Sequence, residues 1–254
     1  MEGLVPCIPP AMLLLAIVAF LIAGVIKGTI GIGLPTASVG MMSQFIDPRV
    51  AIALIVFPSL LSNAWQVWRM GDMLGALRRY WLFLVTLMSM ILIVASSVTS
   101  AVSTDTIMLV LGCVIILFSA TSLTFSPPRI PARYDKAGQF VFGTAAGTLG
   151  GLTAIWAPPM VTYLMGRQTE KDEFVRATGV IILMGTLPLI AGFWSNGMLT
   201  GPLALISAAM TLPAIIGFQI GEAIRRRLDA DRFRNVVLII FGIMGLNLLR
   251  RALV

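Results

Sequence analysis

The sequence predicts an all-α integral membrane protein made of two inverted repeats, each a broken, Gly/Pro-interrupted helical hairpin followed by three transmembrane helices. Composition, the placement of charge and a doubled glycine-proline motif lead to this reading. Of 254 residues, 58% are hydrophobic and 11% charged, and the mean hydropathy is +0.96. A soluble domain of this length would carry about 25% charged residues, so the solvent of this chain is mostly lipid.

In chain order, the first apolar segment, residues 8–46, is too long for one crossing and is interrupted by GTIGIGLP at 28–35. Three charge-free stretches follow, at 50–68, 80–98 and 106–125. Each approaches the ~20 residues that cross ~30 Å of hydrocarbon at about 1.5 Å per residue. A second interrupted segment, 137–166, is broken by GTLGGLTAIWAPP at 147–159, and the spans 177–195, 202–221 and the shorter 235–249 come after it. Glycine and proline at such density cannot continue a helix, and irregular backbone at membrane depth survives only where protein or a cavity satisfies it. Both interrupted segments therefore read as helix, break, helix.

The breaks also match each other. Gly24-x3-Gly28-Thr29-x-Gly31 aligns without gaps on Gly143-x3-Gly147-Thr148-x-Gly150, and proline follows in each, Pro35 in one and Pro158 with Pro159 in the other. FPSLLSNAW at 57–65 parallels LPLIAGFW at 187–194. The chain reads as an internal duplication, with a first transmembrane repeat at 1–128 and a second at 129–254.

Charge decides whether each interrupted segment crosses once or turns back. With single crossings the positive residues divide almost evenly between the two sides, which gives no orientation. With hairpins, 14 of the 18 lysines and arginines gather on one face, Arg49, Arg250 and Arg251 lie on the other, and Lys27 sits in the membrane. The positive-inside rule then selects the hairpins, places the N-terminus outside and puts the Arg-rich loop 225–234 in the cytoplasm of a multi-pass cell (inner) membrane protein. A hairpin plus three spans is an odd arrangement, so the second half starts from the opposite face and the repeats are inverted.

Several function classes fall away. Histidine is absent, which removes Ser-His and Cys-His catalysis, His-ligated metal and imidazole relays, so no enzyme, metal site or cofactor is expected. Cys7 and Cys113 stand far apart without CxxC spacing, and read as small apolar fillers. The net charge of +7 lies in short clusters between apolar runs and reports orientation, with no nucleic-acid partner implied. No Lys or Arg precedes Lys27, so the first apolar segment lacks the basic start of a cleaved signal and is expected to stay.

The candidate site follows from the breaks. Helices restarting at Pro35 and at Pro158 would carry proline in the first turn and point free N–H groups and positive dipole ends at the break, from opposite directions. Such a pocket favours an anion. Gly28, Gly31, Gly33, Gly147, Gly150 and Gly151 would let a ligand approach the backbone, or would permit close helix packing. Thr29, Thr36, Thr148 and Thr153 add hydroxyls, and Trp156 is a candidate wall. Lys27 would neutralise a bound anion or snorkel to the interface. Ser59, Asn63 and Gln66, at i, i+4 and i+7, form a polar stripe on an apolar span that faces the pocket or hydrogen-bonds a neighbouring helix. All 11 acidic residues fall in loops or at segment ends, so no carboxylate proton relay stands at mid-membrane and cation substrates are disfavoured.

At these residues the sequence resembles the TauE/SafE family of sulfite and organosulfonate exporters, also known as the 4-toluene sulfonate uptake permease family. The resemblance covers nearly the whole chain. It rests on AGVIKGTIGIGLPTASVGMM (23–42), GTAAGTLGGL (143–152), IIGFQIGEAIRRRL (215–228) and FGIMGLNLL (241–249). The family usually shows a GxGGG-like run before its proline, where this chain has GIGLP and the longer GGLTAIWAPP. The resemblance implies a secondary transporter that exports small sulfur-containing anions such as sulfite, sulfoacetate or related sulfonates by alternating access. The alternatives are an anion channel and a cation-coupled uptake permease for a similar anion, which would need a coupling proton or Na+. Partners are then the anionic substrate and the lipid bilayer, with the oligomeric state unassigned.

Overall fold

The computed structural model describes residues 10–99, 101–124, 129–225 and 230–253, in which every regular element is a helix. The N-terminal residues and positions 226–229, with two of the arginines of the expected basic loop, lie outside the described residues. The first half contains α1 (Pro10–Ile30), α2 (Leu34–Met42), α3 (Pro48–Leu54), α4 (Val56–Met70), α5 (Met73–Arg79), α6 (Trp81–Ile93) and α7 (Thr104–Thr124). The second contains α8 (Asp135–Thr153), α9 (Ala157–Gly166), α10 (Lys171–Ser195), α11 (Gly201–Arg225) and α12 (Ala230–Leu253).

Among the described residues seven helical stretches are long and apolar enough to cross a membrane. Six coincide with the charge-free stretches of the sequence to within a few residues at each end, and α1 is the seventh. At 21 residues α1 can cross the bilayer, whereas α2, with 9 residues, reaches roughly 14 Å and cannot.

The broken segments are shorter in their irregular part than the sequence suggests. The chain leaves helical geometry only at 31–33 and at 154–156, so Gly28, Thr29, Gly147, Thr148, Gly150, Gly151 and Thr153 are helical. The glycines of the limbs instead make room for neighbours. A Cβ on Gly24 or Gly28 would come 2.2 Å from a carbonyl oxygen of α11, at Ala214 and Phe218, and one on Gly217 or Gly221 would strike α1 in the same way. In the second half Gly143, Gly147 and Gly151 face Phe83, Leu87 and Val94. Lipid offers helices no hydrophobic drive to associate, so close backbone approach is what binds them.

The packing of the halves is matched. α1 lies parallel to α11 and its sequence counterpart α8 lies parallel to α6; α7 pairs with α12, and α4 with α10. Where α8 and α10 press on the end of α6, the helix widens to a π turn at Val94–Val98, and Thr99 donates to the carbonyls of Val94 and Gly151. Between α3 and α4, Pro58 cannot donate to Leu54, and the Ser207 hydroxyl of α11 donates to that carbonyl at 2.8 Å while accepting from the Phe57 N–H. A carbonyl freed by proline at membrane depth is thereby satisfied from a neighbouring helix.

Both interrupted segments double back. Ile130 N–H donates to Gly166 C=O at 2.8 Å, and Arg167 pairs with Asp135 at 2.8 Å, so α8 begins where α9 ends. The same end of the molecule gathers Arg69 with Glu222, Arg79 and Arg176 with Glu173, and Arg234, which donates to Ser122 C=O. At the other end Arg251 donates to the carbonyls of Ser43 and Gln44, where α2 finishes, and Arg49 donates to Val102 C=O. The molecule thus has one strongly basic end.

Candidate functional site

The two breaks meet. Ile32, Gly33, Pro35 and Thr36 from the first, and Ala154, Ile155, Trp156 and Ala157 from the second, line one cavity of about 10 Å³ closed by Ile182 of α10. That is about the room one water needs. Gly31 and Gly33 turn the first break at φ +93° and +103°, where a side chain would be strained. Ala154 makes the second turn at φ +55°.

The helices that leave the breaks present their N-termini to this cavity. Gly33 caps α2, with Pro35 in its first turn; Trp156 caps α9, with Pro158 in its first turn. The N–H groups of Leu34, Thr36 and Ala157 have no acceptor within their own helices, and the dipole ends at the cavity are positive. Two more donors are stranded there. Thr36 Oγ1 and the indole Nε1 of Trp156 are buried without a hydrogen-bond partner, an arrangement that costs about 1–3 kcal/mol per group in an interior. Ser59 Oγ, on α4, is buried and partnerless as well.

Lys27 does not snorkel. It is 2% exposed, and its Nζ donates to Ser62 Oγ at 3.0 Å and to Asn63 Oδ1 at 2.9 Å. Asn63 in turn donates to Ser59 C=O. Among the described residues no carboxylate pairs with Lys27, and Ser62 and Asn63 are neutral. When protonated, an amine held by dipoles alone keeps a net attraction for an anion.

The polar stripe of α4 therefore splits. Asn63 faces Lys27, while Gln66 donates to Val175 C=O of α10 at 2.8 Å and packs on Gly179. The remaining hydroxyls are spent on backbone carbonyls: Thr29 donates to Val25 C=O and, at 3.4 Å, to Gly221 C=O of α11, Thr148 to Thr144 C=O and Thr153 to Leu149 C=O. Of the residues singled out in the sequence, the cavity collects Gly33, Pro35, Thr36 and Trp156. Lys27, Ser59 and Asn63 form a buried cluster on α1 and α4, and the limb glycines lie in helix contacts.

Sequence patterning does not single out Ser62 or Ile182. Ser62 stands three residues after Ser59, on the face of the polar stripe, but a further serine there carries no signal of its own, and Ile182 is an ordinary apolar residue whose position at the breaks is set by tertiary packing.

The sequence model of the family described as Sulfite exporter TauE/SafE matches residues 15–248. The chain belongs to the TauE/SafE family. No curated protein and no solved structure matches it. As a TauE/SafE protein it is a multi-pass membrane protein of a sulfite and sulfonate exporter family; both breaks, the buried Lys27 and five of the candidate spans of the described residues lie within the matched region, and the first and last spans run a few residues past its ends.

Proposed function

We propose that this TauE/SafE protein exports small sulfur oxyanions, sulfite or an organic sulfonate such as sulfoacetate, by alternating access around the junction of its two breaks. One observation supports this above the others: two helix N-termini converge on a cavity lined by two stranded donors, Thr36 and Trp156, and Lys27, buried in α1 one turn before the first break, has no carboxylate partner among the described residues. An oxyanion would accept from these donors and neutralise that charge. In this reading the halves 1–128 and 129–254 are inverted repeats whose relative rocking moves the site between faces. The basic end is cytoplasmic by the positive-inside rule, and the membrane is the cell (inner) membrane.

Direction follows from electrostatics. A potential negative inside drives each negative charge outward by about 2.3 kcal/mol per 100 mV, so export of a mono-anion needs no coupling ion. Uptake would need a coupled proton or Na+ that outweighs this term. A channel would need a continuous pore, whereas the breaks close on about 10 Å³.

Flux of labelled sulfite and sulfoacetate into proteoliposomes tests the reading. Lys27→Gln is expected to cut flux at least tenfold, and Thr148→Val, whose hydroxyl bonds its own helix, to leave it within twofold. Normal flux in Lys27→Gln rejects the site, and transport of an unrelated solute with none of any sulfur oxyanion rejects the substrate class.

A further inference from the structure

A second, larger cavity of about 380 Å³ opens at the basic end among α1, α7, α9, α10 and α12. Its lining includes Ile32 and Gly33, which also line the cavity between the breaks. The two spaces therefore adjoin at the first break. On the far side Ala154, Ile155 and Trp156 are only 1–3% exposed, so this conformation gives the first break access from the basic end.

The lining has a clear chemical division. Among the described residues Lys171 and Arg234 are its charged members, and both are positive; Thr169 and Ser122 stand with them. Arg234 is held in place by its bond to Ser122 C=O at 2.9 Å. Of the nearby acids, Glu170 and Asp172 are exposed neighbours of Lys171 that do not line the cavity, and Glu173 is engaged by Arg79 and Arg176. The walls are apolar and partly aromatic, with Phe118, Phe174, Phe241 and Val161. A volume of this size suits a small organic ligand and exceeds what a bare inorganic oxyanion fills.

We propose that this vestibule is a capture site for anions with an apolar body, which bind with the charged head at Lys171 and Arg234 and the body against Phe118, Phe174 and Phe241. From there the anion passes Ile32 and Gly33 to the breaks. The proposal rests on the transport reading above and adds an entry side, a pair of capturing residues and a preference for organic over inorganic sulfur oxyanions. Rim charges act mainly through encounter and salt dependence, so the site speeds loading without holding the substrate tightly.

Two measurements test it. In a Cys7→Ser, Cys113→Ser background, Val161→Cys should react with a membrane-impermeant thiol reagent from the basic face, and benzenesulfonate should protect it while sulfite at the same concentration protects several-fold less. Adding Lys171→Gln with Arg234→Gln should raise the protecting benzenesulfonate concentration about tenfold. Protection that is absent, equal for both anions or indifferent to the two substitutions overturns the proposal. In proteoliposomes the same pair should raise the half-saturating benzenesulfonate concentration with a maximal rate within about twofold. Unchanged half-saturation with normal wild-type flux defeats the vestibule and leaves the transport reading standing. Protection that behaves as described, with no flux of any sulfur oxyanion, defeats the transport reading and leaves the vestibule standing.

Discussion

The two breaks share a cavity and supply it with different chemistry. At 31–33 the turn is made by glycines, Gly31 meets open space, and the helix beyond leaves the N–H groups of Leu34 and Thr36 without an acceptor in their own helix. At 154–156 the turn is made by Ala154 and an indole, and Pro158 and Pro159 remove two of the first-turn donors of α9. The first break thus offers backbone N–H groups and a hydroxyl, the second an indole N–H and a stiffened entry. Register differs as well. Gly28 and Gly147 are 119 positions apart, while Pro35 and Pro158 are 123 apart, so α8 runs one turn further than α1 before it breaks. The duplicated motif holds the packing glycines in register and lets the break slide by a turn.

If that division is right, the limbs and the breaks should respond in different ways to substitution. The largest effect belongs to the limbs. Gly28→Ala puts a methyl group 2.2 Å from the Phe218 carbonyl and Gly147→Ala puts one 2.6 Å from that of Leu87; backbone cannot yield as a side-chain tip can. Each is expected to cost about 3 kcal/mol or more and to lower the melting temperature in detergent by many degrees. A shift of less than about 2 °C in either would mean that the helix contacts are looser than the packing shows.

At the breaks the effect should fall on the ligand. Thr36→Val removes a buried stranded hydroxyl and Trp156→Phe a buried stranded N–H, so neither loses an internal hydrogen bond and the fold should be unharmed. If both donors meet one anion, each substitution raises the half-saturating concentration about tenfold, or ~1.4 kcal/mol, and the pair about a hundredfold. An effect from only one of them would show that the breaks do not share a ligand.

How much of this was legible in the sequence follows the same division. The spans and the doubling back could be read because charge is scarce in lipid: Arg69, Arg79, Arg167 and Arg176 do lie together at one end, linked through Glu222, Glu173 and Asp135. Break position was harder, because Gly28, Gly147 and Gly151 look like helix breakers in a sequence and are packing residues in the bundle. Lys27 stood out as an intramembrane charge and Asn63 as part of the polar stripe, but they are 36 positions apart and Ser62 is 35 from Lys27, and no local pattern pairs them. The vestibule had no sequence signature, since Lys171 and Arg234, at the starts of α10 and α12, read in the sequence as inter-span residues whose positive charge is expected for orientation alone.

The outer ends of the hairpins carry the comparison to its smallest expected effect. α8 and α9 are tied by a charged centre: Asp135 accepts from Tyr163 at 2.8 Å and from Gln139 at 3.0 Å, and pairs with Arg167. The end of α2 is tied by Gln44, which donates to Gly40 C=O and accepts from Asn247. Asp135→Asn keeps the volume and most hydrogen bonds while removing the charge, and should lower stability by about 1 kcal/mol. Gln44→Ala should cost about the same through lost hydrogen bonds. Salt separates them: in 1 M NaCl the Debye length falls to about 3 Å, so the Asp135→Asn deficit should shrink while that of Gln44→Ala persists. Equal salt response in the two variants would mean that the charge of Asp135 adds nothing at the base of the second hairpin beyond neutral hydrogen bonds of the kind that Gln44 makes.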